Sequence, residues 1–208
     1  MLEPISYNSL NKDKPKVLVY HSHSTEAYDN SQDTKDKNLN VIGMGELLCK
    51  YLDENYGISA ENDDTIYDAP YIDSYTNSRK MLQEKLSNYS GYDLIIDLHR
   101  NVSQNKSDEL VNIEGTDTAK CLFVIDTSNK YYKENLKVVD DLTAISNKLF
   151  PGLVKGAFTY ENAISHFNQD LNKNIIFLEI GSDKNSLEEA QNSIKCMAEV
   201  IAEYINNY

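Results

Sequence analysis

Four unbroken apolar runs constrain this chain more than any other feature: KVLVYH at 16–21, DLIIDLH at 93–99, AKCLFVID at 119–126 and NIIFLEI at 174–180. A strand with one wet face alternates apolar and polar residues, whereas a continuous run needs cover on both faces. Stretches of helical spacing separate the runs. Residues 39–56 carry apolar side chains at 41, 42, 44, 47, 48, 51 and 52, with Gly57 as a stop. Residues 76–89 read as a helix capped by Thr76 or Asn77, with Gly91 beyond its end. Residues 131–149 read as another, halted by Pro151-Gly152, and 186–207 as a last one with Ser186 as cap. Glu188 and Glu189 in its first turn suit the helix dipole. Residues 22–38 are a polar loop, and 58–75 are irregular and tyrosine-rich. Strands alternating with helices predict one α/β domain, a mostly parallel twisted sheet with helices on both faces.

The expected domain spans 16–208, with 1–15 a linker or tail ending at Pro15. The start is polar and lacks a signal-peptide core. No window approaches the ~18 consecutive apolar residues of a membrane span. In 208 residues, 40% are hydrophobic and 25% charged, which places the chain among globular rather than disordered proteins. Its net charge of −13 and lack of a dense basic patch argue against nucleic acid as a partner. Cys49, Cys121 and Cys196 have no C-x-x-C spacing, which argues against a structural zinc knuckle, and Cys49 and Cys196 read as buried thiols on helices.

Sites in open α/β sheets gather at the carboxyl ends of strands. The first run ends at His21 and His23, with Glu26 in the following loop. The second ends in Asp97-Leu98-His99-Arg100, and the fourth in Glu179. The third ends in Asp126, a weaker candidate, because a lone Asp often only starts a turn. A catalytic zinc keeps three protein ligands and one open position, and two histidines with one carboxylate are a standard set. His23 and Glu26, three apart, can face one ion, and His99 arrives from a neighbouring strand. His21 and His23 lie two apart, so on an extended chain they face the same way and either could be the ligand. The H-x-x-E spacing favours His23, leaving His21 to touch substrate or steady a ligand.

Glu179 lies between Leu178 and Ile180, where a charge is costly without a partner or a task. General acid/base catalysis is such a task. Asp97 faces the same side as His99 and can orient it, or can pair with Arg100. Arg100 beside a metal could steady an oxyanion or bind a substrate carboxylate; the plainer reading is a surface ion pair. His166, within HFNQDLNKN, is either a substrate-pocket residue or a solvated loop histidine.

The stretches VLVYHSHSTEAY, DLHRN and HFNQDLNKNIIFLEIGSDKNSLEEA, together with the helix after PGL, resemble the stage II sporulation protein P family over roughly 15–205. The resemblance implies a zinc-dependent N-acetylmuramoyl-L-alanine amidase of the Amidase_3-like architecture. It also implies activity on peptidoglycan, including endopeptidase cleavage of stem-peptide cross-links. It places the zinc ligands on His23 (or His21), Glu26 and His99 and the catalytic glutamate on Glu179, with Asp97 and Arg100 in the block after the second strand. Asn101 departs from the acidic residue expected there. Such proteins act outside the cytoplasm at the sporulation septum, behind a membrane anchor absent from this stretch. Their partners in engulfment are a lytic transglycosylase and a membrane protein. Two rivals stand beside this reading: a zinc carboxypeptidase-like amidohydrolase, for which Arg100 would hold a terminal carboxylate, and a non-catalytic wall-binding module, which would not need Glu179.

Overall fold

The computed structural model describes residues 14–207, so most of the expected tail at 1–15 lies outside the described residues. In chain order the elements are β1 (Val17–Tyr20), α1 (Val41–Tyr56), β2 (Ala60–Asn62), α2 (Ser74–Asn88), β3 (Leu94–Asn101), β4 (Leu110–Ile113), β5 (Thr116–Ala119), β6 (Cys121–Asp126), α3 (Tyr132–Leu149), β7 (Val154–Tyr160), β8 (Ile175–Ser182) and α4 (Leu187–Asn207). The main sheet has the order β2-β1-β3-β8-β6-β7, and β4 and β5 form a separate antiparallel hairpin. All neighbours in the main sheet are parallel except β6 and β8.

The four apolar runs became β1, β3, β6 and β8, the inner strands of the sheet. The expected α/β sheet is therefore the observed one, with helices on both faces. The two edge strands were not expected. Strand β2 has three half-buried residues, and β7 is exposed along most of its length. Neither needs an apolar run, because neither is covered on both faces.

Helices α1, α3 and α4 cover one face, over Val19, Ile96, Leu98, Phe123, Leu178 and Ile180. Helix α2 covers part of the other through Leu82, over Leu18, Tyr20, Ile95 and Ile175. Fully burying each such aliphatic side chain is worth roughly 1.5–3 kcal/mol, so the first face carries most of the stability. The thinner second face turns polar toward the carboxyl end of β3, at buried Asp97 and His99.

The helix ends follow local chemistry. Asn40 caps α1 through its Oδ1, which accepts the Ile42 N–H at 3.0 Å, and Gly57 follows the last turn in the left-handed region. Ser186 and Glu189 start α4 with a reciprocal pair: the Glu189 N–H donates to Ser186 Oγ and the Ser186 N–H to Glu189 Oε2. Helix α2 starts at Ser74, earlier than expected, after a short 3-10 turn at Tyr71–Asp73. Neither Thr76 nor Asn77 is its cap. This brings Tyr75, read as a loop residue, into the first turn of a helix. Cys49 and Cys196 are half-buried rather than buried, and Cys121 is the fully buried thiol; all three are free.

Candidate metal centre

Alternation along β1 sorts the first histidines. Val17 and Val19 face α1, and His21 continues that side. Its Nδ1 lies 2.9 Å from the Leu98 carbonyl and its Nε2 3.0 Å from Asn62 Oδ1. The ring is fully buried, and burial lowers its pKa although both contacts favour the charged form. Helix α1 approaches so closely that a Cβ at Gly45 would sit 2.7 Å from His21 Nε2.

Residues 22–25 form a turn, so the extended geometry stops before His23. His21 and His23 consequently do not face the same way. His23 swings to the α2 face, where its ring stacks on Tyr71 at 4.4 Å. It also meets the rings of Tyr75 and His99 edge-on at 5.3 and 5.2 Å.

His23, Glu26 and His99 each place one potential ligand atom within 4.8 Å of the other two. Glu26 Oε1 lies 3.6 Å from His23 Nδ1, and its Oε2 lies 3.2 Å from His99 Nδ1. The Arg100 N–H donates to that same Oε2 at 3.0 Å. Burial opposes charge on Glu26, but His99, His23 and Arg100 outweigh it and hold the carboxyl well below the usual range.

His99 is held from behind. Its Nε2 lies 2.9 Å from both Asp97 Oδ1 and Ser22 Oγ. The Ser22 hydroxyl and N–H both donate to Asp97, at 2.8 Å each. The Ser22 proton is thus committed, so the His99 Nε2–H is shared between two acceptors and Nδ1 is left to face Glu26. Phe177 stacks on the ring at 4.1 Å and fixes its plane. Burial disfavours charge on this imidazole, but Asp97 and Glu26 outweigh it and raise the pKa to about 10.

Glu179 sits beside His99 in parallel register, on the same face of the sheet. Burial, opposed by His99 and reinforced by Glu26, raises its pKa to about 7. Its Oε2 is buried without a hydrogen-bond partner. An orphaned carboxylate oxygen is costly unless something else meets it.

Other expected residues stand elsewhere. Arg100 alternates with His99 and points away from Glu179. Its guanidinium donates to the Ala27 carbonyl at 3.0 Å and to Asp33 at 2.9 Å, so it ties down the loop that carries Glu26 rather than facing a substrate. His166 Nδ1 contacts Asp126 Oδ2 at 2.5 Å, outside the His23–Glu26–His99 group. Asp126 also accepts from the Ser128 N–H and hydroxyl, the turn role its position suggested.

Ser22, Tyr71, Tyr75 and Phe177 also stand at this site, unexpected from sequence. A signal for Ser22 existed: alternation through Tyr20 puts it on the Asp97 side. Lys155 was also missed. It pairs with both oxygens of buried Glu109 at 2.8 Å, near enough to bias Glu179. Only Gly156, beside it, hinted at an irregular strand there.

The donor set suits a zinc ion. Two imidazoles and a carboxylate converge, a second carboxylate fixes one imidazole from behind, and a partnerless carboxylate oxygen stands alongside.

The chain is 31% identical over 209 residues to the stage II sporulation protein P of Bacillus subtilis (strain 168). That match covers 92% of this chain and 51% of the relative, so the chain spans about half the length of that protein. The fold is similar to that of the CwlD amidase from Clostridioides difficile, solved in complex with the GerS lipoprotein. The TM-score is 0.59 at 12% identity, covering 93% of this chain and all of the other. The family model for stage II sporulation protein P matches residues 3–202, and the chain belongs to that family.

Proposed function

We propose that this chain is a zinc-dependent peptidoglycan hydrolase that cleaves the N-acetylmuramoyl-L-alanine amide, and stem-peptide cross-links as well, during sporulation. The observation that carries this reading is the meeting of His23, Glu26 and His99 within 4.8 Å, with Glu179 next to His99 in register. When bound there, zinc supplies Lewis-acid activation of water and of the amide carbonyl.

The protein's own residues do the rest. Asp97 and Ser22 hold His99 in the tautomer that keeps Nδ1 toward Glu26. The Arg100 N–H and guanidinium hold Glu26 and its loop, which makes Arg100 a positioning residue. Glu179 takes a proton at Oε2 from the water that adds to the amide carbonyl and returns it to the amine nitrogen as the C–N bond breaks. Tyr71 and Phe177 stack on His23 and His99 and keep their ring planes fixed. His21 braces β1 against α1 and β2.

The carboxypeptidase-like alternative loses support from Arg100, because a guanidinium committed to Ala27 and Asp33 is not available for a terminal carboxylate. A wall-binding module without catalysis gives no reason for the partnerless Glu179 oxygen.

In this reading the catalytic domain spans residues 16–208. The site of action is the extracytoplasmic face of the sporulation septum, and the partners are a lytic transglycosylase and a membrane protein. Among the described residues no helix is long and apolar enough to cross a membrane. Zinc content of the purified chain, with dye release from labelled cell walls before and after a chelator, tests the reading. Bound zinc and chelator-sensitive release are expected; release that persists after the metal is stripped overturns it.

A further inference from the structure

We propose that an aromatic strip running from Phe177 to the edge of β7 is a platform for the sugar rings of a glycan strand. The inference rests on the peptidoglycan reading and specifies which half of that polymer lies along β7.

The strip begins with a bulge. Val154 pairs with Cys121, but Phe123 pairs with Ala157, so β7 holds one extra residue at Lys155–Gly156. Gly156 has φ of 122°, a conformation that L side chains rarely adopt. Unbroken alternation from buried Val154 would turn Phe158 and Tyr160 toward the α3 face. The bulge absorbs one residue, so both rings point instead to the face that carries His99 and Glu179. Phe158, Val124, Phe177 and Asp97 then form one row across four strands.

Ring contacts make this row continuous. From the His99–Phe177 stack, Phe177 meets Phe167 at 5.3 Å, Phe167 meets Tyr160 at 5.4 Å, and Tyr160 meets Phe158 at 5.0 Å. Phe158 is 53% exposed and Tyr160 46% exposed. The joining ring is built in at a cost. Phe167 lies in a left-handed turn with Ser165, His166 and Asn168, at φ of 48–60°. Non-glycine residues hold that conformation only where their surroundings enforce it. Here Asn168 donates to Ser78, and Gln169 bridges the Val124 carbonyl and the Asp126 N–H.

The occupant follows from chemistry. Flat aromatic faces suit the apolar C–H faces of pyranose rings, and a tyrosine hydroxyl suits their hydroxyl rims. An anionic ligand is a poor match. The chain carries −13, and Lys155 and Arg100 are already committed to Glu109 and Asp33. The sugars of a glycan strand, with their amines acetylated and their lactyl carboxyls taken up in amide bonds, carry no charge.

Titration with chitotetraose, an uncharged N-acetylglucosamine oligomer, by calorimetry tests this. The wild-type chain is expected to bind it. The Phe158→Ser/Tyr160→Ser variant should lose about tenfold or more in affinity, roughly 1.4 kcal/mol by the standard conversion. The ring-preserving Phe158→Tyr/Tyr160→Phe variant should bind within a few-fold of wild type, which separates ring loss from misfolding. Val102→Ser, which removes another exposed apolar side chain off the strip, should change nothing. No binding by the wild type, or equal affinity in the serine double variant, overturns the platform. Dye release from walls reads the other proposal separately. Tetramer binding without release sinks the hydrolase reading alone, and release without tetramer binding sinks the platform alone.

Discussion

Two histidine–carboxylate pairs stand at the carboxyl ends of two strands, and only one belongs to a cluster. At the end of β3, His99 lies between Asp97 and Glu26, is 1% exposed, and has His23 and Glu179 beside it. At the end of β6, His166 rests on Asp126 with its side chain 39% exposed. The residue types are the same; the strand directions are not. Strands β1, β3 and β8 are parallel, so the groups at and just beyond their carboxyl ends meet on one side. Strand β6 runs antiparallel to β8, with Val124 opposite Phe177, so Asp126 lies toward the end where β8 begins. Carboxyl-end placement makes a site only where neighbouring strands point the same way.

This contrast can be broken by experiment. His99→Ala should abolish both zinc retention and wall hydrolysis, whereas His166→Ala should leave zinc content unchanged by elemental analysis. Equal zinc loss in both would mean that the two strand ends are not separate. Glu179→Gln should keep zinc and slow dye release by roughly 10²–10⁴-fold, the range of a lost general acid/base; a near-normal rate would remove Glu179 from that role.

The two neighbouring histidines sharpen the contrast within one strand end. His23→Ala should lose zinc. His21→Ala should keep it but lower stability in urea by about 1–3 kcal/mol, since Asn62 and the Leu98 carbonyl lose a buried partner. Matching zinc content in the two variants would refute the separation.

The smallest effect is expected at the β6 end. Burial raises the Asp126 pKa, but the Ser128 hydroxyl and N–H and the His166 ring outweigh it and hold the carboxyl below its ordinary value. A depressed folded pKa contributes stability above the unfolded value of roughly 3.9, lost as pH falls through the folded one. Asp126→Asn should therefore melt below wild type near neutral pH and converge with it in acid. A gap that is constant with pH would assign the loss to packing instead.

Much of this was legible in the residues. The inner strands announced themselves because a strand covered on both faces has no room for polar alternation. The edges were silent for the converse reason. The β4–β5 hairpin does carry a sequence signal: Glu114-Gly115, with φ of 50° and 88°, is a two-residue turn between short β-prone segments. His23, Glu26, His99 and Glu179 could be proposed from strand ends alone. The relation of His21 to His23 could not, because the turn at residues 22–25 ends the alternation before His23. Within β3 the same alternation turns Arg100 away from His99, and its guanidinium meets Asp33 in the surface ion pair that is its plainer reading. Phe177, Tyr71 and Tyr75 carry no mark of their place in sequence, since an aromatic residue beside His23 or His99 looks like any core aromatic.

The position of β8 has a consequence for synthesis. The last strand of the chain occupies the middle of the sheet, between β3 and β6. Until residues 175–182 leave the ribosome, β1–β3 and β6–β7 are two half-sheets with open edges and nothing to join them. Glu179 arrives on the very segment that closes the gap. A truncated or unfinished chain therefore exposes open strand edges prone to aggregation and lacks Glu179 beside His99. Closing the sheet and completing the His99–Glu179 pair come in one step.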